Sequence, residues 1–249
     1  MIDLKQARQI AAEYGVSVST RPYLLSKPDA NPKTAKNQKF GILTAPLHLA
    51  PARLSGFEVC PSRSAGCTAA CLHTAGNPAY MAGKARARIN KTRLYFGERE
   101  SFLRLLIADL ARLSHDAEKK GLKAGVRLNA TSDIAWERVR YDGTPMIEFA
   151  RAGNVIPYDY TKTLKRALAR PYHITFSRSE DNWADCVKVL TAGGNVAAVF
   201  ANPVDVYKGF PVIDGDISDW RPGDMAGAIV GLKAKGKARA DNTSGFVIR

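Results

Sequence analysis

Short apolar runs punctuate the second half of the chain: GVRLN, VIPYD, HITFS, VAAVF, PVIDG and AIVGL. They are apolar at consecutive rather than alternate positions, so they suit strands buried on both faces, the habit of a parallel sheet covered by helices. Turn residues or helix-like stretches such as MIEFARAG and NWADCVKVLTAGG separate them. With GILTAPLHL upstream and GFVI near the end, the strands number seven or eight, which predicts an α/β fold of the (β/α) barrel kind. The later runs begin only about sixteen residues apart, too close for a full helix in every connection. A reduced or distorted TIM-like barrel is therefore expected, with an open doubly wound sheet as the alternative.

Upstream, Asp3 to Tyr14 predicts a short helix that docks through Ile2, Leu4, Ile10 and Ala11. The following TRPYLLSKPDANPKTAKNQKF, rich in Pro, Asn and Lys, predicts an extended arm or loop. Residues 1–40 thus form an N-terminal helix and arm, and residues 41–249 a single barrel-like catalytic domain with a cysteine loop at 59–78. Tyr80 to Lys120 is mostly helical, with Phe102, Leu105, Leu106, Leu110 and Leu113 on one stripe and Gly121 as a stop.

Lys and Arg number 37 against 23 Asp and Glu, a net +14 that predicts a polyanionic partner. Nucleic acid fits better than a membrane, since no apolar run approaches the length of a spanning helix. The start, MIDLKQARQIAAEYGV, carries charges throughout and lacks the apolar stretch of a signal peptide, so a cytoplasmic location is expected. Structural disulfides are not expected there.

Three of the four cysteines, Cys60, Cys67 and Cys71, lie in VCPSRSAGCTAACLHTAGNP with the spacing C-x6-C-x3-C. Thiolates are soft ligands, and three on one loop suit a zinc ion or three corners of an iron-sulfur cluster. His73, Cys186 or His48 are the candidates for a fourth ligand, His73 first by spacing. A disulfide and plain core packing are the other readings of these thiols, and packing suits Cys186 in NWADCVKVL. The loop follows the first candidate strand, where radical S-adenosylmethionine enzymes hold their cluster. Their C-x3-C-x2-C spacing and Gly-Gly-Glu segment are both absent here.

In parallel α/β folds, chemistry gathers at the carboxyl ends of the strands. There the chain offers Asn129, Ser132 and Asp133 with Glu137 beyond, then Asp159, Tyr160 and Lys162, then Ser177, Arg178 and Glu180. VIDGDISDW adds Asp214, Asp216 and Asp219, followed by Trp220. Such residues also cap helices and turns, but several groups on successive strands predict one acidic mouth. Lys84, Arg86, Arg88, Lys91 and Arg93 after the cysteine loop, and Lys233, Lys235, Lys237 and Arg239 after a late strand, predict a basic rim that contacts nucleic-acid phosphates.

Over roughly Lys39 to Glu137, the segments SGFEVCPSRSAGCTAACLHTAG and VRLNATSDIAWE resemble a family of uncharacterised phage and plasmid proteins. These share a C-P-x(n)-C-x3-C loop, a basic helix after it and an R-L/I-N-x-S/T-x-D strand end. Some of this broad group are linked to DNA transglycosylases that exchange guanine for a 7-deazaguanine. Those are similar to tRNA-guanine transglycosylases, which are barrels with zinc and catalytic aspartates. The C-x-C-x2-C zinc spacing of the tRNA enzymes is absent here, and the cysteines come early rather than late.

The resemblance implies a DNA-modifying enzyme in the host cytoplasm, with a 7-deazaguanine base as its small-molecule substrate. An aspartate nucleophile would be Asp216, with Asp214 and Asp159 behind it, while Asp133 serves base recognition or acid-base work. Tyr158, Tyr160, Phe176 or Trp220 would sandwich a flipped base, with Asn129, Ser132 and Arg178 as further contacts. The metal on Cys60, Cys67, Cys71 and His73 would then be structural. Two other readings stand beside it: an iron-sulfur enzyme, with or without S-adenosylmethionine, acting on nucleic acid or a nucleoside, and a zinc-stapled DNA-binding module without catalysis.

Overall fold

The computed structural model describes residues 2–71 and 81–249. Asp3 caps the first helix, α1 (Leu4–Glu13), by accepting the Gln6 amide at 2.7 Å. The chain then runs through α2 (Pro32–Lys36), β1 (Ile42–Pro46), α3 (Ala65–Ala69), α4 (Met81–Gly97) and α5 (Arg99–Lys119). The apolar stripe predicted for α5 is buried, with Phe102, Leu105, Leu106, Leu110 and Leu113 all inside the main core.

From there strands and helices alternate: β2 (Lys123–Arg127), the hairpin β3 (Arg140–Tyr141) and β4 (Thr144–Pro145), α6 (Met146–Ala152), β5 (Val155–Thr161), α7 (Leu164–Ala169), β6 (His173–Ser177), α8 (Trp183–Thr191) and β7 (Val196–Phe200). The last strands, β8 (Val206–Tyr207), β9 (Phe210–Asp214), β10 (Ile229–Lys233) and β11 (Val247–Ile248), follow with no α-helix between them. The main sheet runs β1-β2-β5-β6-β7-β10-β9-β8 and is parallel except for the β8–β9 hairpin.

The result is a mixed α/β fold that begins as a barrel would, each new strand beside the last, and then departs from that plan. Among the described residues no strand pairing joins β1 to β8 or β9, so the expected TIM-like barrel is not closed. The cause is the short spacing seen in the sequence. Without crossover helices, β8 folds back on β9 and β10 inserts between β9 and β7. Strands β6 and β7 pair only at Phe176–Val196 and Ser177–Ala197, and β11 takes the same edge of β7 further along, at Val199 and Phe200.

One sheet face, with Leu43, Ala45, Ala124 and Val126, packs under α5 in the main core. The other carries Arg127, Tyr158, Tyr160, His173 and Thr175, and the connection after β9 folds across it. Asp219 in that connection accepts from Arg127 Nη1 and Tyr158 Oη, both at 3.0 Å. Its amide donates to Asn37 Oδ1 at 2.8 Å, and Asn37 Nδ2 donates to Thr44 Oγ1 of β1 at 2.9 Å. Trp220 lies so close to β2 that a Cβ on Gly125 would fall 2.7 Å from its ring, which leaves glycine the residue that fits. Asp216 holds Lys33 of α2 at 2.9 Å and Lys235 at 2.7 Å. The side that strand pairing leaves open is thus bridged by α2 and side chains.

The predicted arm is also docked. Asp109 of α5, itself buried, accepts the Tyr23, Leu24 and Leu25 amides at 2.8, 2.7 and 2.9 Å. Among the described residues no helix is long and apolar enough to cross a membrane.

Removing the Asp219 carboxylate strands a buried guanidinium and a buried phenol. Asp219→Ala is expected to cost about 3–5 kcal/mol of stability in denaturant titrations. A cost under about 1 kcal/mol would show that the cross-brace is dispensable.

Candidate active site

The turn after β2 is organised by Asn129. Its Oδ1 accepts from Ser132 Oγ at 2.9 Å, the Ile134 amide at 2.8 Å and Trp136 Nε1 at 3.2 Å. Its own amide donates to Asp159 Oδ1 at 2.6 Å, and its Nδ2 to the Ile134 carbonyl at 2.9 Å and Asp159 Oδ2 at 3.2 Å. Asn129 and Ser132 therefore shape the turn from inside, where hydrogen bonds of the backbone and of Asp159 consume them.

That turn presents Asp133. Its Oδ1 accepts from Thr161 Oγ1 at 2.7 Å and Arg166 Nη1 at 2.5 Å, and its Oδ2 accepts the Lys162 amide at 2.9 Å. Arg166, buried on α7, also grips Glu137 through Nε at 2.9 Å and Nη2 at 3.1 Å. Its Nη2 reaches Tyr172 Oη at 3.0 Å, and that hydroxyl donates to Asp159 Oδ2 at 3.0 Å. One guanidinium thus organises Asp133, Glu137 and, through Tyr172, Asp159. Burial pushes the Asp159 carboxyl up to about 7, opposed by the Asn129 amide, Arg166, Arg127 and Tyr172.

A cleft of about 390 Å³ opens beside Asp133, walled by Glu58, Val59, Pro61, Arg138 and Lys165. The cysteine loop forms one side of it. Cys60 Sγ accepts from the Ala52 amide at 3.5 Å and lies 3.8 Å from the Thr131 carbonyl. Ser64 caps α3 at the Cys67 amide, 3.1 Å away, and Glu180 after β6 clamps Ser64 Oγ at 2.8 Å and the Gly66 amide at 2.7 Å. Burial first, then the nearness of Cys71, Asp133 and Cys67, pushes the Cys60 thiol up to about 11. Burial likewise raises Cys67. The three thiols therefore feel one another, but among the described residues no three His, Cys, Asp or Glu side chains form a group able to hold a metal ion. His73 lies outside the described residues. Cys186 packs in the second core cluster, as its helix position suggested.

At the end of β1, His48 Nδ1 lies 3.0 Å from Ser26 Oγ. Burial, followed by the fields of Arg88, Arg127, Lys91 and Lys84, pushes this imidazole down to about 3. Those cations therefore surround the strand end together. Lys84, Arg88 and Lys91 share one face of α4 by spacing, and Arg86 and Arg93 lie on an exposed face. Lys91 Nζ donates to the Leu24 carbonyl at 2.5 Å, and burial brings its ammonium down to about 8 against the pull of Asp109.

The remaining site expectations are corrected by packing. Tyr158 and Phe176 are fully buried, Trp220 stands edge-on to Tyr158 at 5.2 Å, and Tyr160 lies under the Arg127 guanidinium at 4.3 Å. Tyr158 and Phe176 therefore have no face open to a base, whereas Tyr160 and Trp220 are partly buried against Arg127 and Tyr158. Nor do the acids converge on one mouth. Asp133 and Asp159 belong to the Arg166 network, whereas Asp216 is held by Lys33 and Lys235, with exposed Asp214 accepting its amide at 2.7 Å. Arg178 is committed to the Gly245 and Phe246 carbonyls at 2.7 Å each. Lys235 serves Asp216, the Lys233 amide donates to the same carboxylate at 2.8 Å, and Lys237 sits in a 3-10 turn. Arg166 and Glu58 went unnoticed in the sequence. Inside LKRALAR an arginine looks like part of a solvated helix face, and only its place three residues after Thr163, just past a strand, hinted otherwise.

An aspartate that keeps its proton to about pH 7 when folded, and to about pH 4 when unfolded, binds more protons in the native state between those values. Its contribution to stability therefore falls as pH rises through that window. Asp159→Asn carries no such dependence, so denaturant titrations should show the variant gaining on the wild type from about pH 4 to about pH 7. A gap that stays constant would mean that Asp159 is ionised throughout.

Residues 23–249 match the family model described as gene product 88. Nothing matches among curated proteins or among solved structures. The matched span takes in the docked arm, the cysteine loop, the basic helix and every strand of the sheet. On that extent the chain belongs to the gene product 88 family, a phage-type family.

Proposed function

We propose that this protein modifies DNA by base exchange, replacing a guanine with a 7-deazaguanine, and that the cleft beside Asp133 is where the nucleotide is handled. The observation that carries the reading is a cleft whose wall brings Asp133 and Glu58 together with Arg138 and Lys165, while Lys84 and Arg88 of α4 stand near His48. Such cations suit phosphates, and the cleft supplies carboxylates. Of the candidate aspartates, Asp133 is the one on the cleft wall, so the attack on the sugar C1′ passes to it from Asp216. The C1′–N bond to guanine then breaks, the departing base takes up a proton from water, and the incoming base gives one up as it displaces the carboxylate. Glu58, the other acid on that wall, is the acceptor for the incoming proton. No step is assigned to a metal on Cys60, Cys67 and Cys71, because the described thiols form no three-ligand set.

A non-catalytic DNA-binding protein is the second reading, favoured by the three donors that already occupy Asp133. Nucleoside mass spectrometry on DNA from cells making the protein together with a deazaguanine supply separates the two. Base exchange predicts a modified nucleoside that disappears in Asp133→Asn while DNA binding persists. Only ordinary nucleosides, where an established exchange enzyme works, would reject it. Arg88→Gln is expected to flatten the salt dependence of DNA binding by about one unit of log-log slope.

A further inference from the structure

The turn between the first strand and the cysteine loop carries an exposed aromatic ring that neither the core nor the cleft uses. Phe57 keeps 40% of its surface exposed, yet its ring is not loose. It lies flat on Phe96 of α4, with centroids 4.4 Å apart and planes 4° from parallel. Phe96 meets Tyr95 edge-on at 5.1 Å, and Tyr95 meets Phe102 and Trp136 at 5.2 and 5.6 Å inside the main core. A ladder of rings therefore runs from the interior to one open face. The turn is pinned as well: the Phe57 amide donates to Ser55 Oγ at 3.3 Å, Arg93 Nε reaches the Ser55 carbonyl at 3.4 Å, and the Val59 amide donates to the Ala52 carbonyl at 3.2 Å.

The surroundings are cationic. Arg93 is exposed, and Arg53 has a side chain 77% exposed, 3.5 Å from Glu58. The next residue along the chain, Glu58, lines the cleft that holds Asp133. A flat, rigid, half-exposed ring beside arginines suits a nucleobase whose phosphates face those cations, because stacking accepts any base. Such a base must be unpaired, since a paired one offers no free face within a duplex.

We propose that Phe57, backed by Phe96 and flanked by Arg53 and Arg93, is a stacking platform for an unpaired nucleotide of a single DNA strand. The platform adjoins Glu58, which lines the Asp133 cleft, and would receive a neighbour of the nucleotide bound there. The proposal deepens the base-exchange reading by naming the form of DNA that reaches the site, and it rests on that reading for its partner.

The test uses the full chain with a fluorescent oligothymidine of roughly 20 nucleotides, a duplex and heparin as a charge-only control. Phe57→Ala should weaken oligothymidine binding roughly tenfold and leave heparin binding unchanged. Phe57→Trp should add fluorescence, beyond that of wild type, that oligothymidine quenches and heparin does not. Equal oligothymidine affinity in Phe57→Ala, or added fluorescence in Phe57→Trp that is blind to the strand, would overturn the platform. A parallel loss of heparin binding would overturn it too, by showing general damage to the surface. Quenching without base exchange would sink the exchange reading alone, whereas base exchange without quenching would sink the platform alone.

Discussion

Asp219 faces Arg127 and Tyr158 from a connection that would otherwise lie free beyond β9. Among the described residues the sheet is not closed by backbone pairing, and the face that carries these polar groups is covered in another way. Asp219 and Trp220 provide the cover, and Asn37 links the same connection to Thr44 of β1. A buried guanidinium is tolerable only with a carboxylate beside it. That requirement couples the connection after β9 to β1, β2 and β5.

The same kind of pairing operates at the strand ends with Arg166 in the central role. One cation satisfies Asp133 and Glu137 directly and bears on Asp159 through the Tyr172 hydroxyl, so three acids crowd together without mutual repulsion going unanswered. Around His48 the balance reverses, and Lys84, Arg88 and Lys91 of α4 gather near its imidazole. The net +14 is therefore structured rather than spread evenly. Acids are neutralised internally, and Lys84, Arg88, Lys91 and Arg127 gather around His48 beyond the end of β1.

Much of the fold was legible in the residues. Consecutive apolar positions in VIPYD, VAAVF and AIVGL announced buried parallel strands, and the stripe from Phe102 to Leu113 announced α5. Both are local patterns whose period survives any tertiary arrangement. The docking of Leu24 and Leu25 was not legible, because it depends on Asp109, more than eighty residues away. The roles of Tyr158 and Phe176 were misjudged for a related reason. A ring at a strand end looks available until both faces of its sheet are known to be covered.

The order of residues along the chain was sufficient to set the α/β class, the positions of most strands and helices, the excess of positive charge and the grouping of three thiols. Assembly in three dimensions settled the rest: that the described strands do not close into a barrel, that Asp133 and Asp216 sit in separate networks, that Arg166 organises the acids, and that Phe57 is left half-exposed on Phe96. The division follows from distance along the chain. Periodicity and propensity act over a few residues, whereas closure, charge pairing and burial depend on partners brought together from remote segments.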